Sequence, residues 1–188
     1  MQPNATPIPL FDDPLDNLFA ANIVNVSGLT SDLVRPRFQP EPAAHPAHTV
    51  NWVAFGISTY DDDVFPAITH DPLANGGIGA DTVERDELIT VNLSFYGPNN
   101  AQYLAQYREG IMIEQNRWDI AAAGVALVSV GQVINLPALL KDKWVKRLDT
   151  KVIFRRRVSR VYNVPSLLGG NVTLNNERTV TTVITTTH

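Results

Sequence analysis

Glu87-Leu-Ile-Thr-Val-Asn-Leu-Ser-Phe-Tyr96 places Ile89, Val91, Leu93 and Phe95 on one side of an extended chain and Leu88, Thr90, Asn92, Ser94 and Tyr96 on the other. Successive side chains of a strand point to opposite faces, so the segment reads as a strand with an apolar inner face and a polar outer one. Gly97-Pro98 ends it. Asn99 or Asn100 can then cap a helix that returns Tyr103, Leu104 and Tyr107 at helical spacing and breaks at Gly110. A second helix is expected from Ile113 through Trp118 to Ala123, with Gly124 as its stop. Two helices following such a strand are placed to cover one face of a sheet, which makes the fold α+β.

The flanks extend this pattern. Downstream, Val125 to Val130 reads as a buried strand and Leu136 to Lys143 as a short helical turn opened by Pro137. Trp144 to Tyr162 is a long ribbon bent near Asp149, and Val172 to Leu174 with Val180 to Ile184 supplies the last strand material. Upstream, Leu18, Phe19, Ala20, Ile23 and Val24 fit an amphipathic helix from Asp16, closed by Gly28. Leu33 to Phe38 is a short strand, and Pro36, Pro40, Pro42 and Pro46 stiffen the connector that follows. Thr49 to Thr59 is a core strand, Asp61-Asp62-Asp63 an acidic turn before Val64-Phe65, and Asn75 to Gly79 a flexible loop tip. Residues 1–14, with four prolines, read as a flexible N-terminal arm, and residues 15–188 as a single α+β domain with a mostly antiparallel sheet flanked by helices on one face.

A chain of 188 residues that is 44% hydrophobic can bury one substantial core. It has no cysteine, which removes disulfides, thiolate metal sites and cysteine nucleophiles. Its first residues lack the basic and apolar regions of a secretory signal. The longest apolar stretch, Ala121 to Leu136, is interrupted by Gly124, Ser129, Gly131 and Gln132 and falls short of a membrane span, so no membrane partner is expected.

Charge is distributed unevenly. Nine of the fifteen Lys and Arg lie between Lys141 and Arg160, against only Asp142 and Asp149, so that stretch carries +7 and the remainder −11 of a net −4. One surface of each copy is thereby complementary to another surface of the next, and head-to-tail contacts between unlike surfaces build rings when the rotation closes. Lys146, Arg147, Arg155, Arg156, Arg157 and Arg160 are the basic interface candidates, with Asp86 and Glu87 as acceptors. A Thr-rich terminal strand also needs its edge covered, which a neighbouring subunit can do. Alternatively, the run Arg155 to Arg157 serves a nucleic-acid-binding module through phosphate contacts. Strand alternation opposes this, since Arg155 and Arg157 share one side while Arg156 and Arg160 share the other.

Signals for catalysis are weak. His45 and His48 sit between prolines with no third ligand, and Asp61 to Asp63 with Asp71 lacks the spacing and terminal Glu of a calcium loop. Gly76-Gly77-Ile78-Gly79 is not followed by Gly-Lys-Ser/Thr, and no Gly-x-Ser-x-Gly elbow is present. Glu84, Asp86 and Glu87 read as exposed charges near a strand start. No catalytic, metal or cofactor site is expected, and Trp52, Trp118 and Trp144 read as core or rim anchors.

Four blocks in order along nearly the whole chain carry a resemblance: Asp32-Leu-Val-Arg-Pro-Arg-Phe-Gln-Pro-Glu-Pro42, Glu84 to Gly97, Gly110-Ile-Met-Ile-Glu-Gln-Asn-Arg117, and Trp144-Val-Lys-Arg147 through Arg155-Arg-Arg157. In these the chain resembles the tailed-bacteriophage neck and tail terminator proteins, including collar or gateway-type neck proteins. The resemblance implies a structural virion protein, made in the host cytoplasm and placed at the tail-neck junction. It implies a hexameric ring built through extended arms and strands, which ends tail-tube growth and joins the tail to the neck and head connector. Tail tube, sheath and connector proteins are the implied partners, and DNA passes through the lumen without specific binding.

Overall fold

The computed structural model describes residues 9–41, 43–140, 142–166, 169–174 and 180–185. In chain order the elements are α1 (Asp12–Ser27), β1 (Val34–Pro36), β2 (Trp52–Asp61), β3 (Ala67–Asp71), the single turn α2 (Ala74–Gly77), β4 (Ala80–Tyr96), α3 (Asn100–Gly110), α4 (Trp118–Ala122), β5 (Val125–Val130), β6 (Ile134–Asn135), β7 (Ala138–Leu140), β8 (Lys143–Val145), β9 (Arg147–Tyr162), β10 (Gly169–Leu174) and β11 (Val180–Thr185). The main sheet is ordered β1-β2-β4-β9-β5, with β3 also on β4 and β6 also on β9. Its described pairings are antiparallel except β1 with β2. The chain is α+β.

Packing divides the chain into two units, a larger one from Pro7–Pro66 and Arg85–Val158 and a smaller one that includes Ala67–Glu84 and the chain from Ser159. In the larger unit the inner face is the one the alternation of β4 indicates: Ile89, Val91, Leu93 and Phe95 are all buried. Val53 and Phe55 of β2 and Val152 and Phe154 of β9 share that face. Leu15, Phe19 and Ile23 of α1 and Leu104 and Tyr107 of α3 cover it, with the rings of Phe19 and Phe154 5.0 Å apart. Gly28, at φ 75°, ends α1 by donating its N–H to the Val24 carbonyl at 3.0 Å. α1 begins at Asp12, four residues before the expected start, because Pro14 lies in the first turn, where a missing N–H breaks no intrahelical bond.

Several expectations change. The stretch read as a helical turn at Leu136 to Lys143 is instead the β7–β8 hairpin, with Asp142 at φ 60° in its turn. Four apolar residues in so short a stretch are too few for periodicity to separate helix from strand. β5 is an edge strand with a register shift between Leu127 and Ser129, and Val125 is its one buried residue. The expected second helix is a 3-10 turn, Glu114–Arg117, followed by the short α4. The long ribbon β9 lies between β4 and β5. In the smaller unit, β3 pairs with the first residues of β4, and β10 pairs with β11 in an antiparallel hairpin.

Candidate assembly surface

Residue parity along β4 and β9 decides where the charged candidates go. Glu87 is in phase with Ile89, and Arg156 with Phe154, so both point inward and are 5% and 3% exposed. They pair at 2.5 Å between Arg156 Nε and Glu87 Oε2. Arg156 Nη1 also donates to the Leu10 carbonyl, and its guanidinium lies 4.4 Å from the centre of the Phe11 ring. Nη2 is buried without a hydrogen bond among the described residues. Glu87, expected to be an exposed charge, is therefore a core residue whose partner is 69 positions away. The inward phase of both side chains was the signal that could have found the pair.

Arg155 and Arg157 take the other face and converge on Asp86, at 2.7 Å from Arg155 Nη2 and 3.4 Å from Arg157 Nε. Hydrogen bonds from Arg157 and Arg155, with their positive charge, hold the Asp86 carboxyl below its usual range against a smaller desolvation effect. Arg155 also reaches Asp62 at 3.8 Å, and Arg85 pairs with Asp61. Arg147 grips Asp149 bidentately at 2.7 and 2.6 Å, and this bonding raises its pKa. Lys146 lies between β8 and β9, and Arg160 falls in the smaller unit. Much of the basic stretch is thus neutralised within its own subunit. A phosphate-binding strip at Arg155 to Arg157 loses its basis, because one of its cations is buried and the other two share a carboxylate.

In the smaller unit His70 of β3 bridges two partners: Nδ1 lies 2.5 Å from Asp81 Oδ1 and Nε2 2.8 Å from Ser166 Oγ. The order Ser, His, Asp matches that of a hydrolytic triad. The neighbouring backbone donors are engaged, however: Ser166 N–H donates to the Ile78 carbonyl and Gly79 N–H to that of Ala74. Neither of these two N–H groups is free to stabilise an oxyanion at the hydroxyl. What the geometry does is fasten the chain after β9. Asn75 Nδ2 adds a bond to Asn163 Oδ1 at 2.7 Å, and Gly79, at φ 109°, leaves the space in which a Cβ would meet Val164 O at 2.7 Å.

Several large apolar side chains are exposed. Trp52 is buried, stacked on Tyr96 at 4.2 Å, but Trp118 and Trp144 are 62% and 74% exposed. Met112 and Ile113 lie exposed beside the 3-10 turn, and Leu139 is exposed on the β7–β8 hairpin. Among the described residues no group of three or more His, Asp or Glu is placed to hold a metal ion. No helix among them is long and apolar enough to cross a membrane. A family model described as phage neck terminator protein matches residues 15–182. No curated protein matches the chain significantly.

Proposed function

The chain belongs to the phage neck terminator proteins, structural components of the virion that meet other neck and tail proteins, and we propose that it forms a hexameric ring at the head-proximal end of the tail. The ring ends tail-tube growth and joins tube, and sheath where there is one, to the neck and head connector. DNA passes through its lumen without specific binding, and the chain performs no catalysis. The observation that carries this reading is the family match over residues 15–182. Exposed Trp118, Trp144 and Leu139 give it apolar contact area, and the edge of β5 gives it a strand to pair.

Exposed ion pairs contribute about 0 to 1 kcal/mol each, so apolar contact and strand pairing must supply most of the association. Of the surface candidates, Lys146, Arg147, Arg155, Arg157, Arg160 and Asp86 act at the interface by setting register and orientation. Arg156 and Glu87 act behind it, holding the strands that present them. Absolute mass by light scattering, over a range of protein and salt concentrations, tests the ring. A mass near six subunits supports it. A monomer that also fails to bind tail tubes refutes it.

A further inference from the structure

The polar face of the main sheet carries a groove of about 540 Å³. Its cationic wall is Arg37 and Lys151, and its apolar wall is Ile134 and Leu136, which are 55% and 45% exposed. Asp149 also lines it but is spent on Arg147. Arg37 lies flat across the sheet: Nη2 donates to Ser94 Oγ at 2.9 Å, and a Cβ added at Gly56 would meet its Cδ at 3.1 Å. Neither Arg37 nor Lys151 has a carboxylate partner among the described residues, so the groove keeps a net positive charge.

An opposite excess sits on the other side of the same unit. Asp12 and Asp13, in the first turn of α1, are exposed, Asp16 is half-buried beside them, and none has a cationic partner among the described residues. Burial raises the Asp16 pKa, and the charges of Asp13 and Asp12 raise it further. Leu10, 36% exposed, adds an apolar side chain next to these carboxylates. α1 packs on the inner face through Phe19 and Phe154, whereas Ser94 and Arg37 mark the outer one. With the sheet between them, one copy cannot bring its own acidic turn into its own groove. Resting on the ring reading above, we infer that the groove of Arg37 and Lys151 receives the Leu10 to Asp13 segment of a second copy, carboxylates on the cations and Leu10 on Ile134 and Leu136. This contact joins unlike surfaces, the kind that closes into a ring.

A charge exchange tests it in the full chain. Arg37→Glu with Lys151→Glu sets an acidic groove against an acidic turn, and Asp12→Lys with Asp13→Lys sets a basic turn against a basic groove. Each variant alone should raise the dissociation constant of self-association about tenfold or more, measured as mass against concentration by sedimentation. An equal mixture should regain assembly, because in alternating order every groove meets a turn of opposite sign. Recovery in the mixture also shows that both variants fold. Wild-type-like assembly of either variant alone, or a mixture no better than its components, overturns the inference while a wild-type ring leaves the ring reading standing. A wild-type chain that never self-associates, in solution or on tail tubes, overturns both.

Discussion

Glu87→Gln keeps the shape of a side chain that is 5% exposed and removes the charge facing Arg156 at 2.5 Å. Arg156 cannot escape to water, since it is itself 3% exposed and anchored to the Leu10 carbonyl and the Phe11 ring. Removing one partner of a buried pair costs about 3–5 kcal/mol, because the other charge stays desolvated. The Gln side chain keeps an amide oxygen that can still accept from Arg156 Nε, which offsets part of this, whereas the Phe11 ring faces the guanidinium in both proteins and cancels. The expected loss is therefore about 3 kcal/mol, near the lower bound. For a chain of this size each kcal/mol moves the melting temperature by about 2–4 °C, so Glu87→Gln should melt about 6–12 °C lower. Glu87→Leu with Arg156→Met removes both charges and should return to within about 1 kcal/mol of the wild type. Thermal and urea unfolding of Glu87→Leu, Arg156→Met and their double give the full cycle, with Glu87→Gln measured beside it. A single substitution costing under about 1 kcal/mol, or a double as damaging as the sum of the singles, would refute the buried pair.

Tyr107 is fully buried with no hydrogen bond to its hydroxyl among the described residues, and burial pushes its pKa up. Above about pH 10 the phenol ionises in the unfolded chain first, so wild-type stability should fall there by up to about 1.4 kcal/mol per pH unit more than that of Tyr107→Phe. Unfolding curves at pH 9 to 11 test this, and parallel curves for the two proteins would contradict it. Asp86 has the opposite sign: its lowered pKa contributes stability above the usual carboxyl range, lost as pH falls through the folded value. Asp86→Asn should flatten the acid limb of melting temperature against pH, and an unchanged limb would remove Arg155 and Arg157 from the account. Gly79→Ala places a Cβ against Val164 O and Ser166 at φ 109°, so hydrogen exchange at Ser166 N–H should quicken. Protection as in the wild type would show that the fastening lies elsewhere.

The core was legible because it is periodic. The alternation of Ile89 to Phe95 and the helical spacing of Tyr103, Leu104 and Tyr107 each report a face that the chain must bury. The first residues of β4 were not, since Asp81 to Glu84 offers no apolar alternation and is held by pairing to β3. Strand order is equally silent in sequence: that β9 lies between β4 and β5 is a consequence of pairing across many residues. The candidate surface divides in the same way. Parity put Arg156 opposite Arg155 and Arg157, as found, but its partner Glu87 and the sharing of Asp86 depend on strand register. The resemblance to neck terminators, carried by blocks across the whole length, matches the family found.

Tail tubes grown in the presence of the purified chain and imaged by electron microscopy test the central claim most directly. The account predicts tubes that stop growing, each closed at one end by a single sixfold ring of this protein. Tubes of unrestricted length with bare ends would contradict it.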